Sequence, residues 1–248
     1  MSYFKSVLYL VSPLLLSMNV TSQEAIQIGE SIFFNECSGK VEYLVWWSPH
    51  EEFISLGIGH FIWHSKPGPF EETFPSLLVF LEKKGVKLPH WLKADTPCPW
   101  GTREQFLEAE AQQKKEELRA LLKNTTALQA EFIAERSEIA LNEIQCAAPK
   151  EARDKIAKQI ASLKASTRGK FALIDYINFK GTGLSPTESY KGQHWGLLQV
   201  LQGMSRGDPI QAFRESAITL LRRRVQNAPK ERGEERWLPG WIARIERY

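Results

Sequence analysis

Apolar side chains fall at helical spacing from residue 23 to residue 36, where Ile26, Ile28, Ile32, Phe33 and Phe34 give one broad face. Ser22 is placed to cap this segment, Glu24 sits in its first turn, and Ser38-Gly39 stops it. The spacing then changes. Lys40–Trp47 is β-branched and aromatic and ends before Pro49, and Phe53–Trp63 is a second apolar run interrupted by Gly57 and Gly59. Two such runs around a polar turn predict a small β-hairpin. After a loop at Lys66-Pro67-Gly68-Pro69 the helical period returns. It predicts a helix over 75–84, with Pro75 in the first turn and Gly85 past the end. A second covers 102–122, with Thr102 as cap and Gln105 placed for a capping box. Two more follow, 128–145 on Leu128, Phe132, Ile139 and Ile144, and 151–165 on Ile156, Ile160 and Leu163. Residues 88–99, rich in Pro and Trp, read as irregular. The last third has an apolar stretch, 170–183, that turns on Gly181 and Gly183, then a segment at 195–201. A helix opens at Asp208-Pro209 and runs to Val225, and a short amphipathic one follows Pro239-Gly240, with Trp241 and Ile245 towards the core. No Gly/Ser-rich linker or repeat divides the chain, which predicts one α+β domain, mainly α, with a small hairpin.

Composition adds limits. The 248 residues are 43% apolar and 25% charged, ordinary globular usage, and the formal charge of +3 is too mild for a nucleic-acid partner. The charges at Lys114, Lys115, Glu116 and Glu117 read as a solvated helix face. Residues 1–22 have the pattern of a signal peptide: Lys5, an apolar run at Val7–Leu16, and Val20-Thr21-Ser22 before the cut. The apolar run is short for a membrane span, so a mature protein beginning near Gln23, secreted or periplasmic and not inserted in a membrane, is expected. Cys37, Cys98 and Cys146 leave room for one disulfide and one free thiol, with three pairings open.

Candidate chemistry concentrates between Glu36 and His60. Glu36 ends the first helix, and Glu51 and Glu52 occupy the turn of the hairpin, so carboxyl groups stand on either side of one short sheet. Glycoside cleavage needs such a pair, one carboxyl to protonate the leaving oxygen and one ionised to stabilise or attack the sugar or to activate water. A helix end beside an apolar face, near Trp46 and Trp47, favours the protonated form of Glu36. A polar turn keeps Glu51 or Glu52 ionised. Gly57 and Gly59 indicate a bend or close backbone approach rather than a phosphate site, because no helix with the right fingerprint follows. His60 and His64 would pair as zinc ligands only on a helix, which these glycines oppose.

The order of four blocks resembles the phage-type lysozymes, the endolysin or muramidase family. Its members have a Glu ending a helix, a hairpin with a second carboxylate, and a Thr shortly before G-x-G-H. Here Glu36, the Glu51/Glu52 pair, Ser55 and Gly57-Ile58-Gly59-His60 stand in that order. Ala172–Gly183, Leu197–Phe213 and Gly240–Arg244 look like the three later blocks. The departures are the lack of an Asp in the hairpin, Ser for Thr, a longer loop after Glu36, and an Asn, Asn178, one position out of place. The resemblance implies a lysozyme-like fold over 23–248, with a helical insertion at about 82–166. It implies a peptidoglycan-cleaving muramidase, monomeric, with no cofactor or metal. Glu36 would be the general acid, Glu51 (or Glu52) the second carboxylate, and Ser55 would position water. His60 would brace the hairpin from behind. Trp47, Trp63 and Trp195 are candidate cleft rings among eight tryptophans, and Tyr176, Asn178 and Gln199 candidate polar contacts. The alternative implied by the departures is a catalytically degenerate protein of the same fold that binds cell wall or a protein partner.

Overall fold

The computed structural model describes residues 18–68 and 71–248. Ten α-helices and one three-stranded antiparallel sheet make up the described residues, an α+β architecture that is mainly α. The leader expected over 1–22 lies largely outside the described residues. Of those described, Met18 is buried and Val20 half-buried, while Asn19, Thr21 and Ser22 are exposed. Met18 is buried and donates its backbone N–H to Glu138, and the Asn19 carbonyl accepts from Lys170. The first helix, α1, spans Ser22–Cys37 and is capped by Thr21 rather than Ser22, in a reciprocal capping box with Glu24. A chain starting at Gln23 therefore lacks this cap and the Met18 packing.

Lys40–Trp47 is not a continuous strand. It forms a 3-10 turn, Val41–Leu44, and then the two-residue strand β1, Val45–Trp46. Strands β2, Phe53–Leu56, and β3, Phe61–His64, complete the sheet in the order β1-β2-β3. Register sets Val45, Leu56 and Phe61 across from one another on the buried face, and Trp46, Ser55 and Ile62 on the outward face. The buried face packs on aromatic rings: Trp63 lies 5.0 Å from Phe74 and 6.5 Å from Trp100, and Phe61 lies 5.6 Å from Phe132.

Helix α2, Phe74–Lys83, lies where the sequence predicts it. The helix expected over 102–122 is broken into α3, Arg103–Leu107, and α4, Gln112–Asn124, with Glu108 extended between them. The break lets Phe106 turn inward against Trp47 and Trp100, and the buried Lys115 ammonium donates to the Phe106 carbonyl across it. The long helix α5, Thr126–Ala147, packs along α1, where Gly29 approaches Thr126 and Ala130. The stretch 82–166 therefore contributes to the same core as the rest of the chain rather than standing apart from it. Helices α6, Arg153–Lys164, and α7, Thr167–Lys180, follow. Helices α8, Leu197–Gly203, α9, Pro209–Asn227, and α10, Leu238–Ile245, close the structure. All three cysteines are free thiols. No helix among the described residues is long and apolar enough to cross a membrane.

Gln129, fully buried on α5, locks the G-I-G-H turn. Its carbonyl oxygen accepts from the Ile58 N–H at 3.0 Å, and its amide donates to the Leu122 carbonyl and Thr125 hydroxyl. Gly57 stands directly over this side chain with a φ of +67°, so any Cβ there would collide with the amide oxygen. Gln129→Leu orphans a buried N–H and a buried carbonyl. It is expected to lower unfolding free energy by about 2–4 kcal/mol, measured by urea denaturation; a change under about 0.5 kcal/mol would show that the turn does not depend on it.

Glu24 gives a pH signature. Burial would raise its pKa, but the Lys170 ammonium and the Thr21 cap overcome this and hold it at about 2, against 4.5 ordinarily. A depressed carboxylate stabilises the fold above its unfolded pKa and loses that contribution as pH falls through the folded one. Between pH 4.5 and about 2 the wild type should therefore lose stability more steeply than Glu24→Gln; parallel acid limbs in pH-dependent melts would contradict this.

Candidate active site

Glu36 occupies the last turn of α1, which ends with Ser38 in the left-handed region and the Gly39 N–H on the Phe33 carbonyl. Four elements converge there. From α10 the Arg244 guanidinium donates to Glu36 Oε1 through Nη2. From α7 the Asn178 amide donates to the same oxygen at 3.1 Å. From the turn between β2 and β3, His60 Nδ1 lies 3.4 Å from Oε2. The Glu36 side chain keeps 13% of its surface exposed, so it is shielded but reachable.

Behind Glu36 is a fully buried carboxylate, Asp175. Arg244 grips it with two hydrogen bonds of 2.8 and 2.7 Å, the Tyr248 hydroxyl donates at 2.6 Å and the Asn35 amide at 3.2 Å. Burial pushes the Tyr248 phenol well above its usual range, and the neighbouring Asp175 charge adds to this, so Tyr248 stays a donor. Burial alone would weaken the Arg244 charge, but Asp175 and then Glu36 hold it on. Asp175 and Asn178 are three residues apart on α7 and so share a face. One face of one helix thus serves both the buried anchor and the exposed carboxylate.

His60 holds a φ of +49°, uncommon for a side chain larger than glycine. Expected behind the hairpin, it sits instead in the β2–β3 turn, towards Glu36. Such backbone strain persists where the surroundings over-determine it, and here the Gln129 clamp on Ile58 does so.

Of the other residues singled out from the sequence, some meet Glu36 and some do not. Asn178 does. Ser55 faces outward in the row Trp46–Ser55–Ile62. Glu51 and Glu52 are exposed in the β1–β2 turn, at the far end of β2 from His60. The four residues of β2 alone span roughly 13 Å, whereas catalytic carboxylates in glycosidases stand roughly 5–9.5 Å apart. Trp47 is buried, its ring N–H tied to the Glu51 carbonyl at 2.8 Å, so it offers no face to a sugar. The exposed ring on this sheet is its neighbour Trp46, edge-on to Tyr43. Trp63 is core. Tyr176 is fully buried and donates to the Trp195 carbonyl. Gln199 is a strap: its amide donates to the Gly183 carbonyl and its oxygen accepts from Gly196 N–H. It holds two backbone segments so close that a Cβ on Gly196 would meet Gly183 at 2.1 Å. Tyr176 and Gln199 thus satisfy backbone groups rather than face a ligand.

Asn178 lies where two grooves meet. One, of about 550 Å³, runs between the G-I-G-H turn and α5, past Gly59, Arg136 and Ile139. The other, of about 490 Å³, runs along the end of α7 past Lys180, Tyr190, Trp195 and Arg224. Arg244 and Asp175 were not singled out from the sequence as site residues. The signals were there: an Asp inside the apolar run Lys170–Lys180, and an Arg on an amphipathic terminal helix. Comparison with known protein families, curated proteins and solved structures returns no match.

Arg244→Met leaves Asp175 buried without its cation and is expected to cost about 3–5 kcal/mol of unfolding free energy. Adding Asp175→Asn to that variant should recover at least about 1 kcal/mol, because the uncompensated charge is gone. Strict additivity in a double-mutant cycle would deny the coupling.

Proposed function

We propose that this protein is a glycoside hydrolase of the muramidase type, cutting the β-1,4 bonds of peptidoglycan with Glu36 at the centre of the reaction. What supports this above all is the placement of Glu36: a shielded carboxyl at a helix end, held by Arg244, His60 and Asn178, the last of which lines two grooves. A polymer lying through both grooves would bring a glycosidic oxygen to it. In this role Glu36 protonates the leaving oxygen, Asn178 and Arg244 hold its Oε1 in position, and Oε2, on the His60 side, is the oxygen that delivers the proton. The lysozyme-like resemblance of the sequence points the same way. Glu51 is the candidate second carboxylate and Ser55 the candidate water-positioning hydroxyl; the distance of Glu51 from Glu36 makes this the weaker part of the reading and the part its own substitution tests.

One observation favours a second reading, a wall-binding protein without turnover: Arg244 compensates Glu36 directly, while Glu51 stands at the far end of β2. Product analysis separates the two. Purified peptidoglycan incubated with wild type should yield new reducing muramic-acid ends, and Glu36→Gln should lower their rate by about 10²–10⁴. Glu51→Gln should lower it by a similar order if Glu51 is the partner, and leave it unchanged if another group is. No products from wild type or Glu36→Gln, with both still sedimenting with the wall, would establish the binding protein instead.

A further inference from the structure

The groove at the end of α7 holds positive charge that Glu36 chemistry does not use. Lys180 places its ammonium 3.6 Å from the centre of the Trp241 ring and 3.9 Å from that of Phe179. Among the described residues no carboxylate bonds or pairs with it. Arg224 sits beside it, 4.1 Å over the Trp195 ring and 4.9 Å over the Trp241 ring. The fully buried Glu234 is already saturated: Arg224 binds it at 2.8 and 2.9 Å, Arg232 at 3.2 Å and the Tyr190 hydroxyl at 2.7 Å. Glu188, at the edge of the groove, is a second negative charge. With Lys180 protonated, Lys180, Arg224 and Arg232 against Glu234 and Glu188 leave the groove one positive charge in excess. Burial first, and the Arg224 charge second, push the Lys180 ammonium down to about 7. The Glu234 charge, already engaged by Arg224 and Arg232, opposes this only in part, and Arg244 adds to it; a carboxylate bound beside Lys180 would work in the opposite direction.

We propose that this groove is a carboxylate-binding subsite, in which Lys180, with Arg232 at the rim, receives a carboxylate attached to the glycan that passes Glu36. This rests on the peptidoglycan reading above. Peptidoglycan carries such carboxylates from two sources, the lactyl group of an unsubstituted muramic acid and the peptide stem. Asn178 lines this groove and also touches Glu36, so a carboxylate held here fixes which sugar stands at the catalytic carboxyl. The rings of Trp195 and Tyr190, 4.7 Å apart, form an apolar wall beside the charge. A neutral glycan would meet the same wall but leave Lys180 unpaired.

The test is binding, followed by tryptophan fluorescence, in the Glu36→Gln full-length chain so that no probe is cut. Four probes are used: a muramic-acid disaccharide carrying its tetrapeptide stem, the same compound with its stem carboxylates amidated, the disaccharide with a free lactyl carboxylate and no stem, and an N-acetylglucosamine oligomer without carboxylates. At least one carboxylate-bearing probe should bind about tenfold tighter than the amidated and uncharged ones. Which of the two does so identifies stem or lactyl group. Lys180→Met should abolish that difference while leaving oligomer binding unchanged, Lys180→Arg should restore most of it, and Arg232→Gln should weaken it by a few-fold. Equal binding of all four probes, no binding of any, or a Lys180→Met variant that keeps the tenfold preference, would overturn the subsite. Failure of the muramidase reading shows up elsewhere, as wild type that binds the carboxylate probe normally yet releases no reducing ends from peptidoglycan.

Discussion

The structure depends on one guanidinium. Arg244 stands between a fully buried carboxylate and a half-reachable one, and by holding both it joins α10 to α7 and α1. Removing two opposite charges from water is favourable only when hydrogen bonds satisfy the remaining lone pairs. Asp175 meets that condition with Arg244, Tyr248 and Asn35 as donors. Arg247, one helical turn along, braces Asn35 in turn through its side-chain oxygen. Helix α10 and the residues after it are thereby fastened to α1, and Glu36 sits on the solvent side of the fastening.

A second constraint acts from the opposite side. The turn that carries His60 must hold a left-handed residue beside Glu36, and only a firm support keeps it there. Gln129 supplies it by accepting from Ile58 while bonding the end of α4. The helical stretch that supplies Gln129 is therefore the floor under the turn. Its burial against α1 makes it a structural requirement of the site, whatever surface it also offers.

Much of this was legible in the sequence. Periodicity located α1, α2 and α9 to within two residues at each end, because a solvated face opposite a buried one leaves a clear period; the run Phe53–Trp63, expected as one arm of a hairpin, is instead two strands, β2 and β3, and the tail helix begins at Leu238, ahead of Pro239-Gly240 rather than after it. Three features were not legible. The 102–122 pattern runs through its break without a Gly or Pro, since what breaks the helix is the gain from turning Phe106 onto Trp47 and Trp100, a tertiary effect. Trp46 and Trp47 are equivalent by propensity; only the register with Ser55 and Leu56 decides which ring is outside. Arg244 and Asp175 are 69 residues apart and share no pattern, so their pairing appears only once α7 and α10 are packed. Glu36 could be chosen because it stands at the end of a strongly marked helix, where a side chain is apt to meet other elements; Asn178 entered through the resemblance of its block, not through periodicity.

Glu36 and Asp175 share one guanidinium and divide it unequally. Asp175 has both oxygens filled by four donor contacts, two from Arg244 and one each from Tyr248 and Asn35. Glu36 receives one N–H from Arg244 and one from Asn178, both on Oε1, while Oε2 faces the His60 imidazole at 3.4 Å. Arg244 therefore orients Glu36 through one oxygen, places its remaining contacts on the buried carboxylate, and leaves the other Glu36 oxygen on the side of the turn. An ion pair that reaches only one oxygen of a carboxylate fixes its direction without closing it off.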